Sequence, residues 1–376
     1  MKNKIGIKFE IFKKVNAFGL YIFLILNFSF LISSSQDIHY SLFTQSPLTI
    51  NPAQAGTTAW IRGVINYKNQ WAGIPVPYTT IAASFDEKIK KRWHQREKKT
   101  RTLLFRSISE SGIGWGVNLY NDEAGDGHIG TLQGNFALAY QLLLSKESML
   151  AAGLQAGIVQ RSITYSGLYW ESQYDINAAS GFDPGADPNE DFSSSHYMYP
   201  DVAAGMVYTY KKNERYMRGN DQKDLQFGAG VYHLNRPKYS FLGTEERIYP
   251  RLNIHASGIY GISNTNISLM PGILFSKQGP NREFLIGTLF RYMLKEDSKY
   301  TGYVKGATIA AGGYYRNKDA FVVAGVFEFS SYSIGVSYDI NVSKLKTATD
   351  GRGGVEVVLR FLNPSPFLFS RASFNK

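Results

Sequence analysis

The densest cluster of titratable side chains lies in the stretch NDEAGDGHIG, residues 121–130, which holds Asp122, Glu123, Asp126 and His128. Asp/His combinations of this kind can serve hydrolytic chemistry. The stretch is also rich in Gly, Asn and Asp, the residues that tight turns require. The six histidines are scattered along the chain, and its sequence has no HExxH motif, no GxSxG motif and no pair at metal-ligand spacing. We therefore interpret the cluster as turn chemistry and expect no enzyme activity, no metal site and no cofactor.

An acidic, aromatic segment at 166–198 is a candidate binding surface. Its carboxylates could bind calcium or a protein partner, but their spacing does not match a known calcium loop. A solvated acidic loop is the better interpretation. The side chains that we single out as possible partner contacts are Tyr169, Trp170, Asp183 and Asp187.

A second charged segment, residues 87–111, is strongly basic. Between 88 and 106 it has nine Lys or Arg and one acid, Glu97. It is either an electrostatic dock for an acidic periplasmic protein, peptidoglycan or anionic lipid, or a disordered basic insertion. Its candidate partner contacts are Lys91, Arg92, Lys98 and Lys99.

The N-terminus has the order of a secretory signal peptide. Lysines precede the apolar run FGLYIFLILNFSFLIS at 18–33, small serines follow it, and Gln36 is the expected first mature residue. Removing residues 1–35 takes away five Lys and Glu10, which lowers the net charge from +11 by four to +7. Because the chain is expected to be exported, we do not expect a nucleic-acid partner. The absence of Cys is compatible with an oxidising periplasm.

The rest of the chain repeats runs of about ten residues in which apolar and polar side chains alternate. In GIGWGVNLYN, 112–121, the odd positions 113–119 are apolar and the even positions 112–118 are Gly or Asn. Fourteen such runs cover 58–71, 78–86, 112–121, 130–144, 148–165, 199–211, 223–235, 250–262, 264–278, 282–295, 304–317, 319–329, 331–341 and 353–362.

This pattern predicts an all-β fold, a transmembrane antiparallel β-barrel of about 14 strands of the outer-membrane type. A soluble propeller or sandwich would need a second apolar face, whereas the alternate face here carries mainly Gly, Ser, Thr, Asn, Gln, Arg and Tyr, with few large aliphatics. The excess of Tyr and Phe suits a lipid headgroup boundary. The predicted divisions are 1–35 signal peptide, 36–57 periplasmic or plug segment, 58–362 barrel and 363–376 tail.

The segment 36–57 and the first strand are expected to interact. Asn51-Pro52 begins a turn and Gly56 permits an unusual backbone conformation, so the segment can fold compactly and partly plug the lumen. On the first strand, Ile61, Ile65 and Tyr67 are predicted to face lipid. Arg62, Asn66, Lys68 and Gln70 are predicted to face the lumen, with the amides of Asn66 and Gln70 holding the plug. Trp71 should lie in the outer interfacial belt.

Five ordered stretches carry a family resemblance: QDIHYSLFTQSPLTINPAQAGT, NYKNQW, PYTTIAASFD, GVNLYNDEAG and SYDINVSKLKTATDGRGGVEVVLRF. Together they resemble the PorP/SprF family of the type IX secretion system, and they span essentially the whole mature chain. The family pattern falls on Asn51, Pro52, Ala53, Gly56, Asn69, Gln70, Trp71, Tyr78, Asp86, Asn121, Asp122, Tyr338, Asp339, Ser343, Lys344 and Leu345. Of these, Asp339 and Lys344 are predicted to form an exposed pair that orders the following loop.

The resemblance implies an outer-membrane barrel of Bacteroidota-type cells, in contact with outer-membrane lipid. It further implies work in the export or surface anchoring of an adhesin with a type IX C-terminal domain, with periplasmic secretion or motor components as partners, and a link to gliding motility. The basic insertion and the tail after 362 depart from the family pattern. The alternative is a transporter for small hydrophobic molecules resembling FadL barrels, which also have fourteen strands and a plug with an Asn-Pro-Ala element.

Overall fold

The fold is a closed antiparallel barrel of fourteen strands, seen in a computed structural model. The structure describes residues 37–71, 73, 76–89, 112–145, 147–165, 168–177, 181–183, 185–189, 195–212, 220, 222–239, 241, 246–295, 306–343, 349 and 351–364. Residues Ile38–Lys376 form one compact unit, and Met1–Asp37 form another of which only Asp37 is described. In the described part of the chain, no helix is long and apolar enough to cross a membrane.

All fourteen predicted strands are confirmed, and each pairs with its sequence neighbour until β14 pairs with β1. The strands are β1 Ala59–Gln70, β2 Tyr78–Ile89, β3 Gly112–Ala124, β4 Ile129–Leu143, β5 Ser148–Ser162, β6 His196–Lys212, β7 Lys223–Tyr232, β8 Arg251–Gly261, β9 Ile267–Gln278, β10 Asn281–Lys295, β11 Ala307–Arg316, β12 Ala320–Phe329, β13 Tyr332–Asn341 and β14 Arg352–Pro364. The last strand ends two residues beyond the predicted limit at 362. Strand β6 begins at His196, so the loop expected at 166–198 ends at 195.

The two rims of the barrel differ in their connections. We call the rim where β1 begins the turn rim; it carries the short links 144–147, 262–266 and 330–331. We call the other the loop rim; it carries the long segment 163–195. The first three residues of the basic segment 87–111 belong to β2, and the rest, with Lys91, Arg92, Lys98 and Lys99, lies outside the described residues.

Side chains alternate across the wall as the period of two requires. On β13, Tyr332, Ile334 and Val336 are exposed on the outer face, while Ser333 and Ser337 are buried inside. On β1, Ile65 and Tyr67 lie outside as predicted. The exposed outer face is therefore the apolar, lipid-facing one, the reverse of a soluble sheet.

Outward tyrosines gather near both rims, where a membrane barrel places its interfacial aromatic girdles. Those near the loop rim are Tyr67, Tyr78, Tyr315 and Tyr338, and those near the turn rim are Tyr140, Tyr208, Tyr260 and Tyr292. Trp71 directly follows β1 at the loop rim, where its ring lies 4.9 Å from that of Tyr78 in an edge-to-face contact.

The expectation of few large aliphatics inside is wrong for strands β9–β14. Inward side chains of this half form an apolar cluster with Leu42 and Phe43 from the N-terminal segment. The inward members are Leu274, Leu285, Leu289, Ala310, Tyr314, Val322, Ala324, Val326 and Val358. The sequence pattern missed this core because an aliphatic residue at an inward position looks, without a known partner, like a break in the alternation.

The opposite half of the lumen, β3–β7, is lined with glycine where the N-terminal segment lies. A Cβ on Gly114 would come within 2.0 Å of the Ala55 carbonyl oxygen, and one on Gly153 would come within 2.6 Å of Ala53 Cα. A Cβ on Gly205 would come within 2.1 Å of the Asn51 side chain. Inward glycines therefore make the room that the segment occupies.

We predict that Gly153→Val displaces the N-terminal segment, because the new side chain overlaps the Ala53 backbone. Overpacking of this kind costs about 1–3 kcal/mol. Limited proteolysis of the detergent-solubilised barrel, read by mass spectrometry, should show faster cleavage within 38–57. The control is Gly63→Val, since a Cβ at outward-facing Gly63 meets no atom within 4 Å. Equal cleavage in both variants would contradict the proposed packing.

Candidate functional site

The N-terminal segment, residues 38–58, runs the length of the lumen, and we call it the plug. At the loop rim, Arg251 Nη1 donates to the Ile38 carbonyl at 3.1 Å and Lys68 Nζ donates to the His39 carbonyl at 2.9 Å. At the turn rim, Gln141 Nε2 donates to the Ala55 carbonyl at 2.9 Å. Three single 3-10 turns, Phe43–Gln45, Pro47–Thr49 and Pro52–Gln54, keep the plug compact between these ends.

Three buried residues of the wall, Arg316, Asp339 and Glu356, hold the upper part of the plug at Ser41, and we call these four residues the upper latch. The Glu356 carboxylate accepts the backbone N–H groups of Ser41 at 2.7 Å and Leu42 at 3.1 Å. Ser41 Oγ donates to Asp339 at 2.7 Å, and Arg316 reaches both Asp339 at 2.9 Å and Ser41 Oγ at 2.7 Å. The two buried carboxylates, Asp339 and Glu356, are stable here because each accepts hydrogen bonds from at least two donors.

The middle of the plug is fixed by Asn51. Its side chain accepts from the Ala53 N–H at 2.9 Å, which caps the third 3-10 turn. Its amide nitrogen donates to the carbonyls of Met206 and Ala229, each at 3.0 Å, on β6 and β7. One side chain therefore shapes the plug and ties it to the wall, while Pro52 presets the backbone of the turn.

The lower part of the plug is held by Arg62 and Asp86, which we call the lower latch. Their side chains pair at 2.7 Å and are almost fully buried. Asp86 also accepts the Gly56 N–H at 2.8 Å, and Arg62 donates to the Gln54 carbonyl at 2.9 Å. Gly56 adopts φ +62°, a conformation that other residues resist.

The lumen-facing side chains of β1 lie where the alternation predicts, but their roles differ. Asn66 exchanges hydrogen bonds with Ser46 Oγ at 2.7 and 3.0 Å, so it contacts the plug. Among the described residues, no hydrogen bond joins Gln70 to the plug, so its predicted holding role is not supported. Gln70 and Asn69 end β1 at the loop rim.

The prediction that Asp339 is exposed and pairs with Lys344 is wrong about the exposure of Asp339. Asp339 is buried and bound to Arg316 and Ser41 inside the lumen. Lys344 lies outside the described residues. Ser343, next to it, donates its N–H to the Asp319 carbonyl at 3.1 Å. The neighbouring pattern residue Tyr338 points outward with the aromatic belt.

The remaining pattern residues gather near the loop rim. Asp122 accepts from Thr80 Oγ1 at 2.6 Å across β2 and β3. Asn121 is exposed on the outer face, and outward Tyr78 packs on Trp71. The pattern thus marks two places, the plug with its lower latch and the loop-rim ends of the strands.

The titratable cluster at 121–130 forms a tight turn between β3 and β4. His128 Nδ1 lies 2.5 Å from Glu123 Oε1, both exposed, and the His128 N–H donates to the Gly125 carbonyl at 2.9 Å. Positive φ values at Gly125 and His128 fit the turn interpretation. In the described ranges, no group of three His, Cys, Asp or Glu is placed to hold a metal ion.

The four predicted partner contacts lie in the loop 163–195 between β5 and β6. Asp183 and Asp187 are used locally, since their carboxylates accept the N–H groups of Gly185 at 2.9 Å and Asn189 at 3.0 Å. Tyr169 packs on Phe182 at 5.2 Å, and Trp170 precedes a 3-10 turn, Glu171–Gln173. The acids therefore shape the loop, while the Tyr169 side chain remains largely exposed.

Sequence reasoning missed Ser41, Arg316 and Glu356 as functional partners. The sequence did contain a signal, because the alternation of side chains places the charged residues Arg316 and Glu356 at inward positions of β11 and β14. An inward charge in a narrow barrel calls for a partner. The sequence did not identify that partner as the plug.

Comparisons with known proteins bear on the whole chain. The family model described as "Type IX secretion system membrane protein PorP/SprF" matches residues 32–361. A search of curated proteins found no match. Among solved structures, the translocator domain of autotransporter NalP from Neisseria meningitidis is similar at 10% identity and a TM-score of 0.36, over 84% of this chain and 92% of that one.

Two other solved structures show a comparable similarity. A Pseudomonas aeruginosa FadL homologue matches at 11% identity and a TM-score of 0.39, over 84% of this chain and 92% of that one. CdiB from Acinetobacter baumannii matches at 7% identity and a TM-score of 0.35, over 80% of this chain. The chain spans 60% of the length of CdiB.

We predict that Asp339→Asn destabilises the docked plug, since it breaks the buried Arg316–Asp339 pair and leaves Arg316 with Glu283, at 3.2 Å, as its remaining largely buried carboxylate. Breaking a buried pair costs about 3–5 kcal/mol. Asp319→Asn is the matched control, because Asp319 contacts the same Arg316 at 3.2 Å but is 30% exposed, so its loss should cost about 1 kcal/mol or less. Urea unfolding in detergent measures both. Equal losses of unfolding free energy in the two variants would contradict the burial of the Arg316–Asp339 pair.

A pH dependence follows from His39, whose Nε2 is shielded and has no hydrogen-bond partner among the described residues. Burial, with the positive charges of Lys68, Arg316 and Arg251, holds the pKa of His39 well below its ordinary value. A released His39 gains a proton near pH 6.5 while the docked one stays neutral, so docking weakens as the pH falls below about 6.5.

Proteolysis of the plug should therefore accelerate between pH 7.5 and 5.5, measured against a pH-insensitive protease standard. His39→Gln removes the titrating group and should flatten that part of the profile. A profile that is unchanged by the substitution would assign the pH effect to another group.

Proposed function

Because the chain belongs to the PorP/SprF family of type IX secretion system membrane proteins, we propose that this outer-membrane barrel exports a secreted adhesin-type partner, anchors it at the cell surface, or both. The partner in this proposal carries a type IX C-terminal domain, and its anchoring serves gliding motility where the cell glides. The protein has a binding role in this scheme and not an enzymatic one.

The observation that carries the proposal is the docked plug. A segment tied to the wall at the loop rim, the middle and the turn rim makes the barrel a rigid platform. Binding surfaces held on a rigid scaffold lose little conformational entropy when a partner docks. This property favours an anchor over an open conduit.

The loop 163–195 is the surface that we assign to the secreted partner. Its fold is held internally, with Gln173 Nε2 donating to the Ala186 carbonyl at 2.9 Å and Ser172 Oγ to the Pro188 carbonyl at 2.7 Å. It presents Tyr169 and Tyr174, each 61% exposed, and Ile176, 81% exposed. Large exposed apolar side chains beyond the membrane-facing wall are typical of a protein contact.

We assign the turn rim to the periplasm, because the first strand, β1, begins there and the last strand, β14, ends there. Secretion or motor components are the proposed partners on that side. The basic segment 87–111 leaves the barrel at this rim, and its role as a dock stays a prediction.

The FadL-like alternative makes a different demand on the purified protein. A transporter for small hydrophobic molecules should carry such a molecule in mild detergent and no protein partner. An anchor should instead co-purify with the adhesin or with type IX components. Purification from the native membrane therefore distinguishes the two functions.

We predict that the triple substitution Tyr169→Ser, Tyr174→Ser and Ile176→Ser releases the secreted partner into the medium. Losing aromatic anchors at about 2 kcal/mol each weakens binding by more than tenfold. Quantitative immunoblotting of cells and medium measures the shift, and heat-modifiable migration checks that the barrel is assembled. Tyr249→Ser is the control, since Tyr249 is 54% exposed outside this loop. Undiminished surface retention in the triple variant would remove loop 163–195 from the proposal.

A further inference from the structure

A chamber of about 1150 Å³ lies beside the lower part of the plug and extends to the turn rim. The plug residues Thr44, Gln45 and Pro47 border it on one side, and Lys211 and Ser331 at the strand ends border it at the rim. Ligand sites commonly enclose about 300–1000 Å³, so the chamber is large enough for a small molecule with a long chain.

One wall of the chamber carries an excess of positive charge. Arg291 and Arg360 both pair with a single carboxylate, Glu328, at 3.0 and 2.9 Å. Thr308 Oγ1 donates to the same carboxylate at 2.9 Å. Two guanidinium groups on one carboxylate leave a net charge of +1. Arg360 Nε is shielded and has no hydrogen-bond partner among the described residues.

The wall beside this site is apolar. Ile259 and Met270, on neighbouring strands β8 and β9, both point inward and border the chamber. Met293 lies one inward position from Arg291 on β10 and lines the same space. Methionine side chains adapt their shape to flexible chains. The chamber therefore combines a cationic end with an apolar side.

The β8–β9 ladder is interrupted where this apolar side meets the membrane. The register runs unbroken to Ser257–Gly272 and resumes at Tyr260–Leu269, and the pairs Gly258–Pro271 and Ile259–Met270 between them are absent. The Ile262 N–H donates to the Ile267 carbonyl, so these two residues form a hydrogen-bonded pair. Every second pair of an antiparallel ladder is hydrogen-bonded, and counting back from this one makes Gly258–Pro271 such a pair. Proline has no N–H to donate to the Gly258 carbonyl.

The strands keep their register across this place, and the missing Pro271 N–H accounts for both absent pairs, so the wall lacks one backbone hydrogen bond here. An unsatisfied backbone group in lipid costs several kcal/mol, and the Gly258 carbonyl loses its donor two residues inside the girdle residue Tyr260. Gly258 and Pro271 face outward and border the chamber through their backbones. The break therefore lies between the chamber and the surrounding lipid.

We propose that the chamber binds an anionic amphiphile, with its carboxylate or phosphate head at Arg360 and Arg291 and its acyl chain in the β8–β9 break. The head pairs with the partly exposed guanidinium groups of Arg360 and Arg291 and balances the local charge of +1. The chain covers the interrupted ladder from inside. Both a free fatty acid and an anionic phospholipid have this chemistry.

The test uses the full-length barrel in mild detergent and the fluorescent carboxylate cis-parinaric acid. Trp60 lines the chamber, so bound probe should accept energy from it, and Trp60→Phe isolates that contribution from the four other tryptophans. The methyl ester of the probe has the same chain without the charge. Trp60-dependent transfer should be strong for the acid.

Arg360→Gln should weaken binding of the acid by about tenfold and leave the ester unchanged. The Arg291–Glu328 pair stays intact in this variant, so the local charge falls from +1 to 0 and no buried carboxylate is left without a partner. Acid and ester weakened equally, or neither weakened, would overturn the assignment of the head site.

Ile259→Cys with Met270→Cys tests the break. In the register that holds on both sides of the missing pairs, the two positions stand opposite each other and both border the chamber, so a disulfide between them ties the two strands together at the break. The chain has no other cysteine. The oxidised form should lose Trp60-dependent transfer and the reduced form should regain it. Equal transfer in both forms would overturn the assignment of the chain site, and because the same molecules are compared, a folding defect cannot produce the difference.

Competition identifies the class of ligand. Displacement of the probe by oleate alone assigns a fatty acid, and displacement by phosphatidylglycerol but not phosphatidylcholine assigns an anionic phospholipid. Equal displacement by phosphatidylcholine would overturn the anionic assignment. Displacement by an acidic decapeptide in place of either lipid would show that the chamber is a polypeptide site.

Discussion

Charged side chains that point into a closed, filled barrel must find partners inside it, because they have little access to bulk water. Arg316, Asp339 and Glu356 show the constraint most clearly, since all three are buried at inward positions of different strands. The wall pairs Arg316 with Asp339, but Glu356 takes its donors from the Ser41 and Leu42 backbone. The plug is thus part of the charge balance of the barrel.

The two halves of the lumen hold the plug by different means. Strands β9–β14 present aliphatic side chains that pack against Leu42 and Phe43. Strands β3–β7 present glycines that let the backbone at 51–55 approach the wall closely. One face of the plug is therefore apolar and one is nearly bare backbone. This asymmetry gives the plug a single orientation and explains why Gly alternates with apolar residues in GIGWGVNLYN.

A lumen occupied in this way divides the barrel into separate working surfaces. The loop rim carries a folded loop with exposed aromatic side chains. The turn rim opens into a chamber with a cationic end and an interrupted strand pair. Anchoring a secreted protein on one side and binding a lipid-like molecule on the other are compatible, because the plug and its latches lie between the two.

The sequence by itself determined the wall. Strand number, which face of each strand meets lipid, and closure all follow from a period of two repeated fourteen times, since each strand reports its own orientation through local alternation. The aromatic girdles and the inward position of Arg62, Asn66 and Lys68 follow from the same rule. The ordered motifs also identified the family, because the motifs and their order can be read from the sequence without knowing which residues meet in space.

Only the tertiary structure decided what the inward side chains bind. Ser41 and Asp339 are 298 residues apart, and no spacing along the chain relates them. Proximity in sequence suggested Lys344 as the partner of Asp339 and gave Gln70 a role in holding the plug, and neither follows from the fold. A buried charge is satisfied by whatever lies across the lumen from it, and the closure of the barrel around the plug determines which group that is.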